Sequence, residues 1–246
     1  MFIPRPQDTI HKAQLYRLLV AIADDIGLIK FLRFKGGTCA AMQGYLDRFS
    51  VDLDFDFLGE KKDLLSVHKN LKIIFKQLDL IIADYSKNGL QYFLKYQAPK
   101  NTRHTIKIEA QFPPPKNNEY QAAYLPDINR TMICQTIETM FANKLVAILD
   151  RYKKSGSIAG RDIFDVYHFF SQQLPYKKEI IEERRNTKLL NFFQELYQFI
   201  EKNITQTIIN EDLNSLLPAT EFQKIRKTLK DEVLLFLKDE ISRLQN

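Results

Sequence analysis

Apolar residues recur at helical spacing across residues 9–26, where Ile10, Leu15, Leu18, Leu19 and Ile22 form one stripe. That period predicts an amphipathic helix. Residues 31–34 read as a short strand running into Gly36-Gly37, and residues 38–46 as a short helix. From 51 to 57 the period drops to two: Val51, Leu53, Phe55 and Phe57 share one face, and Asp52, Asp54 and Asp56 the other. This is a strand alternation. Residues 61–78 predict a helix, and three strand-like runs follow at 80–85, 91–96 and 105–112. Ser86-Lys87-Asn88-Gly89 supplies a turn between the first two, Asn-Gly being a strong hairpin signal. Pro113-Pro114-Pro115 ends the strand-rich part.

Beyond Pro126 the pattern turns helical and stays so, with helices predicted at 136–151, 161–170 and 187–200. A last helix starts after Pro218, where Thr220 and Gln223 have capping-box spacing, and Phe222, Ile225, Leu229, Val233, Phe236 and Leu237 mark its apolar face. The expected fold is therefore α+β: a mixed sheet flanked by helices over residues 1–115, then an all-helical region over 116–246.

Composition narrows the class. Hydrophobic residues make up 45% and charged residues 27%, which excludes a disordered chain. The net charge is +6, from 36 Lys and Arg against 30 Asp and Glu, which permits a polyanionic partner without requiring one. Cys39 and Cys134 are too few for a disulfide framework and have no partners at metal-ligand spacing, so reduced thiols are expected. The first eight residues lack the order of a signal peptide, and no apolar run would span a bilayer. A cytoplasmic protein away from membranes is the expectation.

The chemistry concentrates in Lys35-Gly36-Gly37-Thr38 and in Arg48-Phe49-Ser50-Val51-Asp52-Leu53-Asp54-Phe55-Asp56. Asp52 and Asp54 are two apart on a predicted strand and share a face. Two carboxylates about 4 Å apart repel by about 4 kcal/mol at an effective dielectric near 20. A hard divalent cation removes that conflict, and Mg²⁺ favours one or two carboxylates plus substrate phosphates. The glycines let backbone N–H groups approach phosphate oxygens, and Thr38 stands where a helix would begin. The same acidic run also fits a solvated edge face. A calcium loop is excluded, because its sixth position holds Phe57 instead of Gly.

In this order and proximity the two segments resemble the nucleotidyltransferase superfamily related to DNA polymerase β. Within it they are similar to the AbiEii/AbiGii toxin family, whose pattern reads approximately KGGT…RFSxDxDF. A second landmark of that family, a KLxAL run followed by RDxxDxY, is matched by Lys144 to Leu149 and by Arg161 to Tyr167. The resemblance spans roughly residues 30–170, and Asn143 departs from the residue often found before the lysine.

The resemblance implies an enzyme that moves a nucleoside monophosphate from an NTP to an acceptor and releases pyrophosphate. It implies Mg²⁺ or Mn²⁺ at Asp52 and Asp54, with Glu109 as a candidate third carboxylate. Lys35, Gly36, Gly37, Thr38 and Ser50 would hold the nucleotide, Ser50 by orienting Asp52. Lys144 would neutralise phosphate charge, supported by Asp162, with Arg161 and Asp165 beside it. Outside the family, those four charged residues read rather as a surface ion network. The resemblance further implies a toxin of a toxin–antitoxin or abortive-infection pair, a separately encoded antitoxin, and RNA, particularly tRNA, as acceptor. Residues 152–159 read as a basic, flexible loop between the two landmark helices, which could touch an RNA backbone or simply be solvated. A protein or small-molecule acceptor, and a nucleotide-binding module that no longer catalyses, are the rival expectations.

Overall fold

A computed structural model describes residues 5–86 and 89–245. The chain divides into two compact units: residues 1–114 with 119–135, and residues 115–118 with 136–246.

The first unit opens with a 3-10 turn, Pro6–Asp8, followed by α1 (Thr9–Asp24), α2 (Ile26–Ile29), β1 (Leu32–Lys35) and α3 (Gly36–Met42). Next come β2 (Leu53–Phe57), a second 3-10 turn (Lys61–Asp63), α4 (Leu64–Gln77), β3 (Ile81–Tyr85), β4 (Leu90–Lys95) and β5 (Thr105–Gln111). A hairpin of β6 (Tyr120–Leu125) and β7 (Arg130–Gln135) completes it. The seven strands form one sheet in the order β3-β4-β5-β2-β1-β7-β6. It is mixed: β1 runs parallel to β7 and β2 parallel to β5, and the other neighbours are antiparallel.

Alternation decides which face is covered. Phe34, Leu53, Phe55, Phe57, Ile106, Ile108, Tyr92 and Leu94 are all buried. So are Leu15, Leu18, Leu19 and Ile22 of α1 and Val67, Leu71, Ile74 and Phe75 of α4. Burial of each such side chain is worth about 1.5–3 kcal/mol. Four of the five expected stripe positions of α1 are buried; Ile10 is 41% exposed, and His11 takes its place on the covered face.

The second unit is helical: α5 (Ile137–Ser155), α6 (Gly160–Ser171), α7 (Lys178–Arg185), α8 (Leu189–Asn203), α9 (Gln206–Leu213), α10 (Ala219–Ile225) and α11 (Leu229–Gln245). Thr136 caps α5 by accepting from the Thr139 N–H, and Gly156 ends it with φ +66°. Phe141 packs edge-on against Phe169, Phe170 and Tyr176 at the centre of this unit.

The mixed sheet with its helical C-terminal region is as expected, but several boundaries differ. The β6–β7 hairpin lies where helix was expected to take over, so the sheet-bearing unit runs past residue 115 to 135. Its strands bury few apolar side chains, chiefly Leu125, Met132 and Cys134, and the alternation was too weak to read. Residues 152–155 belong to α5 rather than to a loop. Helices α7 and α9 were not foreseen. The last helix is broken: α10 begins at Pro218, which makes no side-chain cap bond, and no capping box forms at Thr220, which lies inside the helix. Proline pre-sets the helical entry, so a side-chain cap has no position to fill. Lys87 and Asn88 of the expected turn lie outside the described residues, but β3 and β4, which it would join, are antiparallel. Both cysteines are buried and unbridged. Among the described residues no helix is long and apolar enough to cross a membrane.

Asp56 ties the sheet together. It is fully buried and accepts from Lys35 Nζ at 2.6 Å, Tyr120 OH at 2.8 Å and Gln135 Nε2 at 2.6 Å, reaching three strands besides its own. Asp56→Ala leaves the partly buried Lys35 ammonium without its counter-charge and strips Tyr120 and Gln135 of their acceptor, and should cost about 3 kcal/mol. Urea denaturation should show the lower midpoint. A loss below about 1 kcal/mol, the scale of an exposed pair, would remove Asp56 from this role.

Candidate active site

The site is built where β1 turns into α3. Lys35 ends β1 opposite Asp54 of β2, and Asp54 pairs in turn with Glu109 of β5. The three therefore stand in a row on the sheet face opposite the apolar one. Gly36 has φ +78°, and a Cβ there would lie 2.5 Å from Asp54 Oδ2. No L side chain fits that backbone and that space together. The acidic strand thus lies directly against the glycine bend, and Asp54 is half-buried beside it.

The lead into β2 is held from two sides. Thr38 Oγ1 donates to the Asp52 carbonyl at 2.5 Å and lies 2.8 Å from Ser50 Oγ. Thr38 is itself buried. Its hydroxyl is spent on positioning the acidic segment, which differs from the expected role as a phosphate donor. His11 donates from Nε2 to the Val51 carbonyl at 2.9 Å, and its Nδ1 lies 2.6 Å from the Tyr96 hydroxyl. Burial pushes the His11 pKa below its ordinary 6.5, so the ring is neutral in the fold.

Two other expected residues are engaged locally. The Lys35 ammonium is held by Asp56 and by Gln111 Oε1 at 2.7 Å. Glu109 is paired with Lys107 on its own strand. Asp52, Asp54 and Glu109 do not gather into a three-carboxylate group, and no three His, Cys, Asp or Glu do so among the described residues. Asp54 fills the space beside Gly36, and Asp52 stands just before β2; carboxylates with phosphate oxygens completing the shell are the donors that a divalent cation such as Mg²⁺ takes.

The helical unit holds the other candidates. Lys144 of α5 lies 3.0 Å from Asp162 Oδ1 and 2.8 Å from Asp165 Oδ2, both on α6. Arg151 reaches Asp162 Oδ2 through Nε at 3.0 Å and Nη2 at 2.9 Å. Asp162 and Asp165 are buried, so this is no surface network. Burial alone would raise the Asp162 pKa, but Lys144, Arg151 and Arg161 more than reverse that and hold the carboxyl well below the usual range. Asn143 is fixed by Asn118 and Arg184.

Sequence reasoning missed His11, Arg48, Asp56 and Arg151. His11 carried a signal, since it stands four residues before Leu15 on the same helical stripe. Arg48 lies inside the recognised motif, yet only coordinates show it against Gly37.

The family described as nucleotidyl transferase AbiEii toxin, type IV TA system, matches residues 17–239. The chain belongs to the AbiEii nucleotidyltransferase toxin family. It is therefore a nucleotidyltransferase that takes an NTP and releases pyrophosphate, of a toxin–antitoxin class. Two solved structures share the fold of this AbiEii member at low identity. JHP933 from Helicobacter pylori is 18% identical, with TM-score 0.54, covering 99% of this chain and 100% of that one. MenT4, a nucleotidyltransferase toxin from Mycobacterium tuberculosis, is 15% identical with TM-score 0.54, covering 96% and 87%. No curated protein matches the chain.

His11 gives a pH signature. Its folded pKa lies below the unfolded 6.5, so the folded state binds fewer protons, and stability should fall as pH drops below that value. Between about pH 7.5 and 5.5 the wild type should lose more stability than His11→Gln, whose side chain does not titrate. Thermal melts at the two pH values measure it, and parallel losses would refute a neutral His11. Lys144→Met should destabilise by about 3–5 kcal/mol, because Asp162 and Asp165 lose their shared cation. Chemical denaturation reads that loss, and an unchanged midpoint would contradict it.

Proposed function

We propose that the chain transfers a nucleoside monophosphate from an NTP to a hydroxyl of an RNA acceptor, with tRNA the favoured substrate, and that the reaction depends on a divalent cation. The observation that carries this is the apposition of Asp54 Oδ2 to Gly36, where even a methyl group would collide at 2.5 Å. It puts a carboxylate directly against the glycine bend, whose N–H groups would meet the phosphate oxygens in this reading.

In this reading the acceptor oxygen attacks the α-phosphorus, the bond to the bridging oxygen breaks, and pyrophosphate leaves. Asp52 and Asp54 hold the cation, which when bound neutralises phosphate charge and lowers the pKa of the attacking hydroxyl. The backbone of Gly36 and Gly37 grips the phosphates. Thr38, Ser50 and His11 keep Asp52 in place through the bonds to its own carbonyl and to that of Val51. Glu109, beside Asp54 in the register, is the candidate third carboxylate, and the acceptor proton passes to solvent water. Lys144 carries the charge-neutralising role and Asp162 orients it, as the family motif implies. Phosphoryl transfer depends mostly on such positioning and charge stabilisation.

RNA as acceptor is supported by the +6 net charge and by the exposed Lys153 and Lys154 at the end of α5. Membership of a type IV toxin–antitoxin family supports an antitoxin encoded apart from this chain and action in the cytoplasm of the producing cell.

The test is incubation of folded protein with Mg²⁺, each labelled NTP in turn, and total RNA. Label should enter RNA with at least one NTP. Asp52→Asn and Asp54→Asn should each reduce transfer by about a hundredfold or more while melting temperature stays within a few degrees. No transfer from any NTP to RNA, protein or small molecules would defeat the proposal. Label found only on protein would keep the chemistry and replace the acceptor.

A further inference from the structure

Arg48 occupies the space that Gly37 leaves by having no side chain. A Cβ on Gly37 would lie 2.7 Å from Arg48 Nη2 and 3.5 Å from Cζ. Nη1 donates to the Phe49 carbonyl at 3.0 Å, which fixes the head group from the other side. Only 3% of the residue is exposed. Arginine does not lose its proton in proteins, so the charge is permanent. Burying such a charge is costly unless hydrogen bonds hold it in place.

The placement has an electrostatic consequence. A guanidinium in contact with Gly37 puts a full unit of positive charge behind the bend, in a position that solvent screens poorly. We propose that Arg48 sets the affinity of the Gly36-Gly37 bend for the triphosphate of the NTP. It acts through the Gly37 backbone as a positioning residue and does not touch the substrate. The inference rests on the reading that the phosphates lie on this bend. It also explains Gly37, whose φ is not in the left-handed region: the glycine is needed there for the guanidinium, not for the turn.

The proposal separates from a purely structural role through the number of phosphates. Titration calorimetry on the full chain with Mg²⁺ would compare nucleoside, monophosphate, diphosphate and triphosphate of one base. In Arg48→Gln the triphosphate affinity should fall on the order of tenfold, the diphosphate less, and the nucleoside not at all, as expected for one lost charge at short range. Arg48→Lys should keep most of the phosphate dependence. Gly37→Ala, whose methyl would meet Arg48 Nη2 at 2.7 Å and Ser50 Oγ at 3.1 Å, should also lower triphosphate affinity and leave that of the nucleoside unchanged.

Equal triphosphate-to-nucleoside affinity ratios in wild type and Arg48→Gln would overturn the inference. If Arg48→Gln does not fold, Gly37→Ala decides, and a wild-type ratio there overturns it. A wild type that binds no NTP would instead defeat the nucleotidyltransferase site reading, and this inference with it.

Discussion

Strand β2 is gripped on both sides, antiparallel to β1 with Lys35 opposite Asp54 and parallel to β5 with Asp54 opposite Glu109. The register follows from what lies on the other face, where Phe34, Leu53, Phe55, Phe57 and Ile108 are all buried. A slip of one residue would drive Asp54 into that layer and expose the phenylalanines. Hydrophobic packing on one side of the sheet therefore decides where a carboxylate stands on the other. The glycine bend follows from the same register, because the residue after Lys35 must pass over Asp54, and only a side chain without a Cβ can do so.

Around this frame the charges divide by burial. Asp56 is surrounded by Lys35, Tyr120 and Gln135 and works as a clamp between strands. Asp54, two residues earlier on the same face, stays half-buried beside the bend. The difference comes from neighbours, since β6 and β7 supply Tyr120 and Gln135 to cover Asp56. In the helical unit one lysine is shared by two buried carboxylates, with Arg151 holding the second oxygen of Asp162. A buried charge set of this kind survives only when each member has its partner, so the position of Lys144 is closely defined.

The parts of the fold that the chain announced were those with long or strong periods. Helices α1, α4, α5, α6 and α8 and strands β2, β4 and β5 carry apolar residues at fixed intervals, because one face of each is buried. The hairpin of β6 and β7 was hidden. Residues such as Gln121, Ala122, Ala123 and Tyr124 give little contrast between faces, and the strand β6 lies at an edge of the sheet. The break between α10 and α11 was hidden too, since apolar spacing continues from Phe222 through Leu229 although the helix does not.

For the site, the sequence by itself determined the residue types and their order: two glycines, a short helix, and two carboxylates on alternating positions. That much follows from local rules, as strand alternation puts Asp54 and Asp56 on one side and glycine permits a bend at positive φ, although Asp52, expected on the same strand, stands just before β2. Only the tertiary structure decided which of these groups are occupied by protein partners. Thr38 turns inward to Asp52 and Ser50, Lys35 is taken by Asp56, and Arg48 lies beneath Gly37. Each of these contacts joins residues 11 to 21 positions apart. Their meeting depends on strand pairing and on core packing, and no spacing along a single chain encodes either.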